Sequence, residues 1–113
     1  MCSYQTLFHE NKCGYVIRCV GCANIQVTFG NFIITFAKPD FNQFVQMVKK
    51  LRDQHEHSAD TSAKTIIVPT PCEGMRLLFI YRELNDLDIM LDAADSELQT
   101  LELIDLFGDN GNK

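Results

Sequence analysis

Ile25-Gln26-Val27-Thr28-Phe29-Gly30-Asn31-Phe32-Ile33-Ile34-Thr35-Phe36 is the stretch that decides the fold. Two alternating runs flank a two-residue Gly-Asn loop, and a glycine in first place supplies the positive φ that a type II′ hairpin turn requires. A two-residue loop also sets the register. Phe29 then faces Phe32, Val27 faces Ile34 and Ile25 faces Phe36, all apolar and all on one side of the ribbon. Thr28 with Ile33 and Gln26 with Thr35 fall on the other side. Turn chemistry and hydrophobic pattern agree on an antiparallel hairpin.

Upstream, Gly14-Tyr15-Val16-Ile17-Arg18 reads as a short strand entering a Cys19-Val20-Gly21-Cys22 turn, and residues 1–13, polar and mixed, read as an irregular arm. Downstream, Pro39 suits the first position of a helix, and Asp40 with Gln43 offers a capping box at the same end. Phe41, Phe44, Val45, Val48 and Leu51 recur at the spacing of an amphipathic helix, which fades through Gln54-His55-Glu56-His57 into a polar loop. Thr65–Val68 reads as a buried strand halted by Pro69-Thr70-Pro71. Met75–Tyr81 reads as a second, apolar nearly throughout and therefore central. A final helix is predicted from about Glu83 to Phe107, with residues 108–113 as a frayed tail. The expected order is β-β-β-α-β-β-α, a single α+β domain over residues 1–113 with an antiparallel sheet covered by two helices.

The 113 residues suffice for one hydrophobic core without staples. Residues 82–113 carry nine acidic side chains against Arg82 and Lys113, a net −7, which leaves +2 for residues 1–81. An overall charge of −5 argues against nucleic-acid binding through phosphate contacts. No apolar run approaches the roughly 20 residues that span a bilayer, and the first residues show no secretory pattern, so a cytoplasmic location is expected. Five cysteines in that compartment point to reduced, metal-bound or redox-active thiols instead of a disulfide framework.

Cys19-x-x-Cys22 is the one motif with chemical content. A structural zinc takes four thiolate or imidazole ligands, and a C-x2-C turn supplies two at one point. No second close pair exists, so the remaining ligands come from Cys2, His9, Cys13 or Cys72. Cys2 and His9 belong to an arm that a metal would pin, which makes Cys2, His9, Cys19 and Cys22 the preferred set. Four protein ligands leave no open position for water, so the role is structural. Against this stands the plainer reading of His9 as a surface histidine and Cys2 as an unordered terminal residue. A redox pair is the competing use of Cys19 and Cys22, but a thiol activated in the thioredoxin manner sits at a helix N-terminus, and here a strand follows. His55 and His57, two apart on a helix, point to different sides and suit a solvated helix end better than a metal. The acids of the last helix form a solvated face, and no catalytic constellation or Gly-rich phosphate loop is present. In that helix Leu84, Leu87, Leu91, Ala94, Leu98 and Leu101 alternate steps of three and four. Such a stripe packs on the chain's own sheet, with a homodimer through Leu84 to Leu101 as its secondary use.

His9, Gly14-Tyr15-Val16, Arg18-Cys19, Cys22, Gln26-Val27 and Phe29-Gly30-Asn31, followed by Pro69-Thr70-Pro71 and Arg82-Glu83-Leu84, resemble the signature of a small bacterial family of unknown function. The resemblance implies an α+β fold with a cysteine knuckle and a metal set of Cys2, His9, Cys19 and Cys22, with Cys13 and Cys72 outside it. It implies no activity. The function expected from all of this is a non-enzymatic interaction or regulatory module with a structural zinc site. A thiol-redox protein using Cys19 and Cys22 is the alternative, and a zinc-ribbon-like nucleic-acid binder the third.

Overall fold

A computed structural model of the chain describes residues 3–56 and 64–111, with side chains up to residue 107. The element order is β1 (Tyr4–Glu10), β2 (Gly14–Cys19), β3 (Ile25–Phe29), β4 (Phe32–Phe36), α1 (Lys38–His55), β5 (Ile66–Pro69), β6 (Arg76–Phe79) and α2 (Tyr81–Gly111). β1 to β4 form an antiparallel meander in sequence order, and β5 and β6 form a separate antiparallel pair. This is an α+β architecture with one more strand than the sequence pattern predicts.

The β3–β4 hairpin has the register expected from its loop, with Phe29 opposite Phe32, Val27 opposite Ile34 and Ile25 opposite Phe36. Gly30 has φ +57°, whereas Asn31 keeps a negative φ, as a II′ turn demands. Ile25, Val27, Phe29, Ile34 and Phe36 are all buried. One face of the meander is therefore core.

The additional strand lies in what reads as an irregular arm. β1 pairs antiparallel with β2, and its register slips between Thr6 and Phe8. Leu7 is thus an inserted residue, buried next to a half-buried Phe8. A bulge of this kind places two successive residues against one on the partner, and so breaks the two-residue alternation by which strands are recognised. β5 and β6 also differ from expectation. Ile66 and Val68 point inward with Leu77 and Phe79, whereas Ile67 and Leu78, opposite one another, are about half exposed at 51% each. β6 is consequently a one-sided strand at the rim, not a central one.

α1 opens at Ala37 with no side-chain cap, and Pro39 occupies its first turn, so the proline and not an Asp40–Gln43 capping box defines the start. α2 begins two residues earlier than the pattern suggests. The Glu83 carboxylate accepts the Ile80 N–H at 2.9 Å, the N3-to-N-cap half of a capping box, and also meets Lys64 Nζ at 3.0 Å. Burial raises the Glu83 pKa, but these two partners outweigh it and hold the carboxyl below its ordinary value. α2 continues through Gly111, past the predicted end at Phe107. At 1.5 Å per residue its 31 residues extend about 46 Å, most of the molecule's 57 Å length.

Leu84, Leu87, Leu91, Ala94 and Leu98 are buried in the core shared with α1 and the meander. The stripe thus packs on the chain's own interior, the leading expectation for it, with Leu101 partly buried at its end. The two helices are also joined by charge. Asp88 is the one buried polar residue among the described residues, with its Oδ2 2.9 Å from Arg52 Nε. The Arg52 N–H is not aligned on that oxygen, so the contact is an ion pair without a well-formed hydrogen bond. Burial pushes the Asp88 carboxyl above its ordinary pKa, against the opposing pull of Arg52 and Lys49.

Candidate functional site

The Cys19–Cys22 turn closes the end of the meander where β2 passes into β3. Cys19 ends β2 and is buried, whereas Cys22 is exposed. The backbone folds tightly here. Ala23 N–H donates to Cys19 O at 2.8 Å, and Cys19 N–H donates to Asn24 O at 2.8 Å. Ala23 carries φ +62°, the only positive φ of a non-glycine among the described residues. A side chain in that conformation costs on the order of 1 kcal/mol. The turn directs Cys22 N–H at the Cys19 sulfur, 3.3 Å away. A donated N–H favours a charged thiolate over a neutral thiol.

The first described residue meets this turn. Val20 N–H donates to Ser3 O at 2.8 Å, and Tyr4 stands opposite Cys19 in the β1–β2 register. β1 then runs away from the turn. His9 stands opposite Tyr15, five residues beyond Tyr4, and is stacked on the Tyr15 ring at 6.5 Å. Five residues of strand amount to about 17 Å, far outside the reach of ligands that sit about 2 Å from a zinc ion. His9 and Cys19 do not belong to one site. Cys13, just before β2, lies at the same far end as His9, and Cys72 sits exposed in the β5–β6 connection. His55 ends α1. Cys2 and His57 lie outside the described residues. Among the described residues no three His, Cys, Asp or Glu side chains converge on a point that could hold a metal.

Cys13 has its own environment. The Glu10 carboxylate accepts the backbone N–H of Cys13 at 3.0 Å and of Lys12 at 3.3 Å. A hydrogen bond from the thiol to that carboxylate, helped by burial, pushes the Cys13 thiol up to about 11. A raised thiol pKa means less thiolate at neutral pH, so Cys13 should alkylate about 100-fold more slowly than an ordinary thiol near pH 8. Timed iodoacetamide labelling with peptide mass spectrometry tests this, and Glu10→Gln should speed the reaction. Labelling of Cys13 as fast as exposed Cys72 would refute it.

Arg18, which the signature includes but assigns no role, fastens this end of the sheet. Its Nε donates to Gln5 Oε1 at 2.7 Å on β1, and its NH2 nitrogen meets Asp105 Oδ2 at 3.1 Å on α2. Strand, turn and last helix are thereby held together beside the cysteine pair.

Fold and site together define a class: a small α+β protein with a four-stranded meander, a two-stranded flap and a cysteine turn at one sheet end. The chain belongs to a family of unknown function, DUF6686, whose model matches residues 1–107. No curated protein and no solved structure matches it. No described helix is long and apolar enough to cross a membrane.

Proposed function

We propose that the protein is a non-enzymatic interaction module whose Cys19–Cys22 turn holds a zinc ion together with Cys2. The observation that carries this reading is the Cys22 N–H directed at the Cys19 sulfur at 3.3 Å. Zinc is bound by thiolates, and a thiolate is the form that such a donor stabilises. Cys2 enters through chain connectivity, since it is one peptide unit from Ser3, whose carbonyl accepts from Val20 within the turn. With His9 distant, three thiolates leave a fourth position for water or for a donor from a bound partner. Val20 and Tyr4, exposed at 57% and 63%, offer apolar surface next to that position. The β2–β3 setting provides no helix N-terminus to activate a redox thiol, which weighs against disulfide exchange.

Elemental analysis with native mass spectrometry should find about one zinc per chain. Cys19→Ser and Cys22→Ser should abolish it and lower the melting temperature by about 10 °C, and His9→Ala should retain it. Chelation that leaves the melting curve unchanged would refute the zinc reading. Reversible formation of a Cys19–Cys22 disulfide in metal-free, folded protein would favour the redox alternative.

A further inference from the structure

β5 and β6 pair only with each other, and Pro69 decides which backbone groups of β6 face outward. Pro69 stands opposite Arg76. A proline has no N–H to exchange, so this is a non-hydrogen-bonded pair. Alternation along the antiparallel ladder then gives the bonds to Leu77 and Phe79, and turns the N–H and C=O of Arg76 and Leu78 away from β5. Among the described residues no backbone group pairs with these four. A cavity of about 440 Å³ touches Arg76, Leu77, Leu78 and Phe79 in succession, on both faces of the strand, but no residue of β5. It therefore lies along the free edge of β6. Its other wall is the tip of the β3–β4 hairpin, and the rings of Phe29, Phe32 and Phe79, 5.8 to 6.4 Å apart, give it an apolar floor. Lys64 and Glu83, also at its border, neutralise each other at 3.0 Å. The Arg76 guanidinium has no hydrogen bond or ion pair among the described residues, so it is the uncompensated charge of the slot.

We infer that this edge docks an extended peptide segment of a partner protein, one in which an apolar residue adjoins an Asp or Glu. Outward N–H and C=O groups on every second residue are complemented by another strand, the strand-addition mode of peptide recognition. The peptide residue opposite Arg76 lies on the same face, and a carboxylate there forms the cross-strand ion pair that the chain itself does not supply. The residue beside it, opposite Leu77, turns to the ring cluster and takes an apolar side chain. The other strand of the pair is blunted, since Pro69 occupies an outward position of β5, and β1 is kinked by its bulge at Leu7. A second copy offering its own β6 fits less well. The same alternation would centre that pairing on Leu77 and set Arg76 opposite the second copy's Leu78, not opposite an acid.

Fluorescence polarisation of the labelled hexapeptide Thr-Val-Phe-Glu-Val-Thr, with the full chain titrated to about 1 mM, is the test. The peptide should bind about fivefold more tightly than its Glu-to-Lys analogue, and N-methylation at its glutamate should weaken it by at least as much. Arg76→Glu, a change on an exposed side chain, should reverse the preference between the two peptides. Leu78→Pro removes one outward N–H and no bond of the β5 ladder, so it should fold by circular dichroism yet bind about 10-fold more weakly. If Leu78→Pro does not fold, the reversal by Arg76→Glu decides alone. Absence of binding, or binding indifferent to Arg76→Glu and to N-methylation, would overturn the inference. So would wild-type self-association in sedimentation equilibrium that Leu78→Pro abolishes, which would give the edge to a second copy. The slot lies at the opposite end of β3 from the cysteine turn, so peptide binding and zinc binding stand or fall separately.

Discussion

Gly14→Ala should abolish most of the stability of this protein. Gly14 begins β2 with φ +145°, a conformation that side chains rarely adopt, and it is enclosed on both sides by the sheet. It pairs with Glu10 on β1 and Phe29 on β3. A Cβ at this position would lie 2.0 Å from Thr28 O and 2.9 Å from Thr28 C. Both are backbone atoms of the strand next door, so no rotamer change relieves the clash. Either β3 moves and its hairpin with β4 moves with it, or β2 gives up its register. An expected loss of about 3–5 kcal/mol is a large share of the 5–15 kcal/mol that holds a typical domain together. Thermal melting should show a drop of about 15 °C or more, or no cooperative transition. Gly21→Ala is the control, because a Cβ there meets nothing within 4 Å. If Gly14→Ala melts within about 3 °C of the wild type, the close approach of β2 and β3 is wrong.

Phe41→Ala should be the costliest core truncation in the first helix. Phe41 is completely buried at the start of α1, and its N–H closes the first helical bond to Ala37 O at 2.9 Å. Its ring stands edge-on to Phe36 at 6.2 Å, and Phe36 in turn packs on Phe44 at 4.9 Å. This trio joins the last strand of the meander to α1, so truncation leaves a cavity between two elements that are both anchored elsewhere and cannot collapse into it. The expected cost is about 3–5 kcal/mol, against about 1–1.5 kcal/mol for Phe41→Leu. Urea denaturation should show the midpoint falling in that order with the slope unchanged. Equal midpoints for the two variants would show that the volume a leucine restores contributes nothing, and would refute the cavity argument.

Much of the architecture is legible in the residues, but the illegible part is where the candidate ligands lie. The Ile25–Phe36 hairpin is readable because turn chemistry and side-chain alternation constrain it independently and agree. The Leu84–Leu98 stripe is readable as core for a similar reason, since its period is sustained over several turns. β1 is not, because the bulge at Leu7 breaks the alternation and leaves a polar-looking segment. The metal set suffers for the same reason. An irregular arm can fold His9 back onto Cys19, whereas a strand holds it about 17 Å away. A bulge at Leu7 in a strand whose Phe8 faces Val16 fixes that separation by sequence spacing alone.

The bond from Arg18 to Asp105 spans 87 positions of the chain, and that distance has a meaning in time. At synthesis rates of about 5–20 residues per second, several seconds separate the emergence of β2 from that of the helix that covers it. During that interval β1 and β2 leave Leu7 and Val16 uncovered to solvent or to whatever meets the nascent chain. The slow step in maturation is therefore a long-range closure, last residues onto first, and not the formation of the local hairpins. Substitutions in the later turns of α2 that spare the finished fold should still lengthen this exposed period, and so act on yield more than on stability.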